Sequence, residues 1–289
     1  MKRNLFILAI VSLAFVIGCQ KEDFKEESQA VVNGNEEVIP FELPEPIEFP
    51  EFVECKLPES TEKWGGTPHS KLMFIAAKYW KLSDSRANRM AAGAPMPDQH
   101  DNEGTIPGTQ QWRHGYIYLY GYYTGIGVAD AMCANNINGS GYNKRSAFYY
   151  YPSNKWMGDW YLGYAAHYLQ DVANPWHTSA NIYQQLATHN GYENWVSANW
   201  DSGHNFESVV NADKYYYSVT NPAAAVRYLA LWSNYRNTTI YDAYVASGKP
   251  TGLNGGNDAL IEGTKELLIA ACRYSKGLIK HTLDAENAW

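Results

Sequence analysis

From Trp64 onward, apolar side chains recur at three- and four-residue steps, the period of amphipathic helices rather than the alternation of half-buried strands. The run HSKLMFIAAKYWKL after Pro68 is the first such segment. Residues 155–173 set Met157, Trp160, Tyr161, Tyr164, Tyr168 and Val172 along one stripe. Pro175 stops it, because the residue before a proline is driven out of helical geometry. In NPAAAVRYLALWSNY, Asn221 can cap the helix, and Pro222 takes the first helical position, where its missing N–H is not needed. A last helix opens near Asn257 and Asp258 and carries Leu260, Ile261, Leu267, Leu268, Ala271, Leu278 and Ile279 toward a core. No segment combines strand alternation with flanking hairpin turns, and there is no internal repeat. The expected fold is all-α, a single compact multi-helix domain over 64–289.

The residues before this domain follow other rules. Residues 1–18 begin with Lys2 and Arg3 and continue into an apolar run, Leu5 to Ile17, too short to span a bilayer. This is the pattern of a signal peptide, and its end, FVIGC, resembles a bacterial lipobox. The resemblance implies cleavage before Cys19 and acylation of its sulfur, hence anchoring to a membrane. QKEDFKEE, next in the chain, resembles the surface-export tag of Bacteroidetes lipoproteins, so an outer-membrane or cell-surface location is expected. Residues 30–63 hold five of the thirteen prolines with glutamates between them, which favours an extended, solvated tether or propeptide over 19–63.

Charge changes the picture further. The 289-residue chain has a net charge of -7, but residues 1–19 contribute +2 and residues 20–63 contribute -9. The domain therefore sums to zero, with 17 basic and 17 acidic side chains. A neutral domain gives nucleic acid no electrostatic footprint. The 45% hydrophobic content excludes wholesale disorder. Of four cysteines, Cys133 and Cys272 lie in the domain; export permits a disulfide between them, but none of the four shows metal-ligand spacing. Twenty-three tyrosines are first a packing resource, and second a possible lipid-facing surface.

The histidines carry the candidate chemistry. HYLQDVANPWH places His167 and Asp171 four apart on one helix face and His177 in the following turn; HNGYENW repeats the device with His189 and Glu193. One such pair is an ordinary surface or core feature. Two pairs within 27 residues, with a histidine between them, point to a metal site, and imidazole with carboxylate suits zinc better than calcium.

HYLQDVANPWHTSA followed by GYENWV resembles the zinc-dependent bacterial phospholipase C family. WGGTPHSKLMFIAAKYW is similar to that family's mature amino terminus, although the five-residue step from Trp64 to His69 is closer to the related fungal single-strand-specific zinc nucleases. HDNEG and WRHGY offer Asp101 and His114 where the family supplies another Asp and His, with Asp98 and His100 standing nearby as competitors. The resemblance implies a trinuclear zinc cluster. Asp101, His114, His167 and Asp171 would hold the first ion, His177, His189 and Glu193 the second, and Trp64, His69 and a bridging Asp171 the third. It also implies phosphodiester hydrolysis by an activated water, with Asp101 as general base. The substrate would be a phospholipid or another phosphodiester, and the products of a phospholipid a diacylglycerol and a phosphorylated head group.

Two departures qualify the resemblance. The short WGGTPH leaves no room for the acidic residue that accompanies choline recognition, and Asn102 and Gln111 flank the first-ion residues, so choline preference is not implied. The third site also needs the free amine of Trp64, hence cleavage after Lys63, which would release the domain from its lipid anchor. A single-strand nuclease or nucleotidase on the same scaffold, and a non-catalytic surface lipoprotein that binds lipid or glycan, are the alternatives. His100, His204 and His281 are expected to be solvated or capping residues.

Overall fold

The computed structural model describes residues 47–48, 67–100, 111–139 and 145–289. Two-residue strand β1 (Ile47–Glu48) precedes α1 (Thr67–Tyr79), α2 (Asp84–Gly93), α3 (Met96–His100) and α4 (Gln111–His114). A small hairpin follows, β2 (Tyr118–Leu119) and β3 (Tyr122–Tyr123), then α5 (Ala129–Asn138), α6 (Ala147–Tyr150) and α7 (Lys155–Asp171). After a 3₁₀ turn at Pro175–His177 come α8 (Ile182–Ala198), α9 (Phe206–Ala212), strand β4 (Tyr215–Tyr216), α10 (Pro222–Ala246) and α11 (Asp258–Ala285). The fold is all-α, as the helical periodicity predicts.

Helix starts are written in local chemistry. The Asn221 side chain accepts from Ala224 N at 3.1 Å and Pro222 opens α10; Asn257 does the same for Leu260 N at 2.9 Å at the head of α11. Each satisfies a backbone donor that the first turn leaves unpaired.

α7 departs from the single stripe expected of it. From Gly158 to Asp171 it is buried on nearly every face, because α1, α2, α5, α6 and α11 all pack around it. The α2 crossing is backbone against backbone. A Cβ added to Gly163 would run into the carbonyl oxygen of Met90, and one on Gly93 into that of Trp160. Asp159, fully buried in α7, is held by Arg86 at 2.8 Å, Arg89 at 2.9 Å and the Tyr151 hydroxyl at 3.0 Å.

The strands correct the expectation that no hairpin exists. β2 and β3 pair antiparallel, Tyr118 with Tyr123 and Leu119 with Tyr122. The two turn residues, Tyr120 (φ 51°) and Gly121 (φ 80°), take the positive φ that a two-residue hairpin turn demands. β1 pairs antiparallel with β4.

Cys133 and Cys272 are free, fully buried thiols. Burial pushes the Cys272 thiol up to about 11 and raises that of Cys133 as well. No helix among the described residues is long and apolar enough to cross a membrane.

Candidate metal centre

The last turn of α7 carries His167 and Asp171. Their four-residue spacing brings His167 Nε2 to 2.9 Å from Asp171 Oδ2. His114, the final residue of α4, sets Nδ1 2.7 Å from the same Asp171 oxygen and 2.9 Å from His167 Nε2. His69, in the first turn of α1, points Nε2 at Asp171 Oδ1 from 3.3 Å. Asp98 of α3 closes the group, its Oδ1 lying 3.3 Å from His167 Nε2 and 3.7 Å from His114 Nδ1.

A second group lies across the turn that follows α7. Asn174 caps the turn by accepting from Trp176 N at 3.1 Å, and Pro175 fixes its first φ. This aims His177 at α8, where His189 and Glu193 are one helical turn apart. His177 Nε2 is 2.9 Å from His189 Nε2 and 3.3 Å from Glu193 Oε1, and His189 Nε2 is 2.7 Å from Glu193 Oε1. Asn174 donates through Nδ2 to the same Glu193 oxygen at 3.0 Å.

Neighbours fix the rings. His177 Nδ1 faces the His114 carbonyl at 3.2 Å and donates to it, which leaves Nε2 as a lone pair aimed into the second group. In the first group, Gln170 Nε2 donates to Ser275 Oγ at 3.1 Å, and Ser275 donates in turn to the Ala271 carbonyl at 2.8 Å. The amide is thereby oriented, and its Oε1 accepts from His69 Nδ1 at 2.9 Å, leaving the lone pair of His69 Nε2 toward Asp171.

The electrostatics are those of cation-seeking ligands. Burial by itself lowers His167, but Asp171 and Asp98 outweigh it and raise the imidazole to about 10. Burial by itself raises Asp171; the charges of His167 and His177 and hydrogen bonds from His114 and His167 reverse this and hold it well below the usual carboxylate range. In the second group, burial lowers His189 and raises Glu193. Their mutual hydrogen bond and charge, with His177 adding to the hold on Glu193, turn both shifts round, leaving His189 raised and Glu193 lowered.

The donor sets fit zinc. His177 Nε2, His189 Nε2 and Glu193 Oε1 form a triangle with edges of 2.7, 2.9 and 3.3 Å. Tetrahedral zinc, with bonds of about 2.0–2.1 Å, spaces its ligands about 3.3 Å apart, so one edge already matches and the shortest need widen by about half an ångström. Two imidazole nitrogens this close repel if both are protonated, and a cation on their lone pairs removes that conflict. Among the described residues, three sets could hold a metal ion: His69, Asp98 and His167; His114, His167 and Asp171; His177, His189 and Glu193.

Seven of the nine residues expected as ligands are thus brought into two adjacent groups. Trp64 and Asp101 lie outside the described residues. Asp98, which the sequence offers as a competitor to Asp101, lies beside His114 and His167. Gln170 and Asn174 escaped the reading altogether; the available signal was a polar amide directly beside a ligand in an otherwise apolar helix or turn. The remaining histidines stand apart. His100 packs its ring against Trp160 and Tyr164, His204 bonds the Gly255 carbonyl, and His281 faces Phe148. A cavity of about 60 Å³ joins the two groups, with Pro68, His69, Asp171 and Glu193 in its wall.

No family model and no curated protein matches the chain. Among solved structures, alpha-toxin of Clostridium perfringens, from avian strain SWCP, is similar at 16% identity and a TM-score of 0.42, with 78% of this chain and 67% of that chain covered. A likeness at that level carries no argument about the chemistry of this site.

Proposed function

We propose that this chain is a zinc-dependent phosphodiester hydrolase of phospholipase C type, which cleaves phospholipids to a diacylglycerol and a phosphorylated head group. The observation that supports it is the convergence of imidazole and carboxylate ligands on two neighbouring points, linked by the bond from His177 Nδ1 to the His114 carbonyl. His114, His167 and Asp171 with Asp98 would hold one ion, and His177, His189 and Glu193 another; His69 and Asp171 would contribute to a third. Zinc held there would acidify a water and withdraw charge from a phosphoryl group.

The protein's own groups divide the remaining work. Asp98 is 44% exposed while the other members of its group are nearly buried, so it is the carboxylate best placed to accept a proton from an entering water. Asp101, the base implied by the family resemblance, follows three residues later. His69 and Asp171 are anchored by Gln170 and by His114 and His167, which holds their ligand atoms in place before a substrate arrives.

Trp64 belongs to the same reading. Trp64 stands five residues before His69 in the sequence, the place that the family resemblance gives to the third ion's remaining ligand. Cleavage after Lys63 would give it a free amine. Before that cut, acylated Cys19 would hold the domain at a bacterial membrane, with residues 19–63 as the tether.

The test is zinc-loaded protein assayed against a phospholipid panel and single-stranded DNA, beside His167→Ala. Phospholipid hydrolysis lost in the variant, with helicity retained, is the expected result. Hydrolysis of DNA alone would replace this reading with a nuclease, and equal activity in the variant would sink it.

A further inference from the structure

The hairpin between the two metal-facing segments is a candidate interaction surface. From Gly115 to Ala129 the chain has no charged side chain, and five of these fifteen residues are tyrosines. Charge-free sequence is ordinary in a core, but this stretch faces outward. Tyr120 is 91% exposed and Tyr122 64%, and Leu119, Tyr123, Ile126 and Val128 are exposed beside them.

The segment is built to keep this shape. Ile117 N donates to the Ile126 carbonyl at 3.0 Å and Thr124 N to the Ile117 carbonyl at 3.0 Å. Tyr116 stacks on Tyr123 at a centroid distance of 4.0 Å, and the Tyr123 hydroxyl donates to the Gly127 carbonyl at 2.5 Å. Gly121 at the tip lies against α10, where an added Cβ would stand 3.3 Å from the Tyr235 hydroxyl. A surface already ordered loses little conformational entropy on docking.

Its root lies at the metal centre. Tyr116 N donates to the carbonyl of His177 at 3.1 Å and Tyr118 N to that of Thr178 at 2.9 Å, while His114 ends the helix just before it. Whatever the hairpin docks on is therefore brought to the site.

We infer that this hairpin seats the domain on a zwitterionic lipid bilayer, with the tyrosine rings at head-group level and Leu119 and Ile126 turned toward the acyl boundary. Three observations select a bilayer. Tyrosine, with an apolar body and a polar tip, is the side chain enriched at that depth. A patch without charge matches a surface without net charge, whereas the -9 of residues 20–63 would be repelled by an anionic one. And under the lipoprotein reading of Cys19, the 28 residues from Cys19 to the start of β1 can reach at most roughly 100 Å, which keeps the domain close to a membrane and raises its effective concentration there. The docking surface serves the phospholipase reading by presenting substrate to the metal centre, and it rests on that reading only for its purpose.

The test uses residues 20–289, zinc-loaded, which contain every described residue and no acylation site. Sedimentation with sucrose-loaded phosphatidylcholine vesicles measures partition. The Tyr120→Ser, Tyr122→Ser double variant should partition about tenfold or more below the parent, since binding scales with apolar area buried. Tyr149→Ser with Trp156→Ser removes exposed aromatics of α6 and of the first turn of α7, the latter roughly 22 Å along the helix from Asp171, and should leave partition unchanged. Equal zinc content and melting in all three proteins excludes misfolding as the cause. Partition should hold between about 0.1 and about 1 M salt. Unchanged partition in the hairpin variant, binding abolished by salt, or a parent that ignores vesicles and instead dimerises through Tyr120 would overturn the inference. Hydrolysis of a soluble short-chain phosphodiester, read in parallel before and after proteolytic cleavage at Lys63, tests the activity on its own: docking without hydrolysis in either form sinks the enzyme reading, and hydrolysis without docking sinks this one.

Discussion

His177 and His189 face each other through their Nε2 atoms at 2.9 Å, with the Glu193 carboxylate against both. With Nδ1 of His177 committed to the His114 carbonyl, its lone pair has only this cluster to serve. The first expectation follows: His177→Ala and His189→Ala should each lower the zinc stoichiometry of the protein by one, measured by elemental analysis after dialysis. Wild-type stoichiometry in both would remove the second group from the metal centre.

Gln170 is not itself one of the ion-facing residues, but its hydrogen bond sets the tautomer of His69. Gln170→Leu should weaken the ion nearest His69 by about 10- to 100-fold, the usual cost of losing an outer partner of a ligating histidine. Gln170→Glu, which keeps an acceptor at the same place, should recover most of it. Competition with a chromophoric chelator reads both, and equal affinities in all three proteins would refute the role.

Zinc uptake should release protons, because His167 is raised to about 10 and is therefore protonated in the metal-free protein at neutral pH. The sign for stability follows from linkage. The histidine contributes fully below its unfolded value of about 6.5 and its contribution is lost as pH rises through about 10; Asp171 contributes above about 3.9 and loses its share in acid. Metal-free protein should thus melt highest at mildly acidic pH and lower in alkali. Calorimetry in buffers of differing ionisation enthalpy measures the protons, and uptake without release would contradict the assignment.

Asp159 is the shared carboxylate partner of Arg86 and Arg89 inside the domain, far along α7 from the ligands. Asp159→Ala leaves two guanidinium groups without their buried partner, and a loss of about 3–5 kcal/mol is expected in denaturant titration. Gly163→Ala should cost about 1–3 kcal/mol by pushing α7 away from Met90. A loss below about 0.5 kcal/mol in either would show that the packing relaxes freely.

Cys133 and Cys272 should resist alkylation in native protein and react once it is unfolded, as fully buried thiols raised by burial do. Peptide mass mapping after iodoacetamide distinguishes this from a disulfide, which would stay unreactive in denaturant alone.

Much of this fold is legible because helices announce themselves locally. Asn221 with Pro222, and Asn257 with Asp258, mark the starts of α10 and α11 through chemistry that needs only neighbouring residues. The i, i+4 spacing likewise makes His167 with Asp171 and His189 with Glu193 visible before any tertiary contact is known. What lies between elements is different. That Asp98 meets His114 and His167 depends on how α3 folds back on α7, and that Gln170 meets His69 and Ser275 depends on the packing of α1 and α11. The hairpin was hidden because its strands are two residues long, too short for alternation to register, and its turn places a tyrosine where asparagine or glycine is usual. α7 looked one-sided because its small residues, Gly158, Gly163, Ala165 and Ala166, accept close neighbours without advertising themselves as apolar anchors.

The position of Asp171 as the last residue of α7 adds a contribution that no side-chain substitution removes. A helix ends in carbonyl oxygens that have no intrahelical donor, and the aligned peptide dipoles place about half a negative charge there. The backbone of α7 therefore favours positive charge beside His167 and Asp171. Variants stripped of individual ligands should retain a residual preference for cations at this end of the helix, set by the direction in which the chain enters the site.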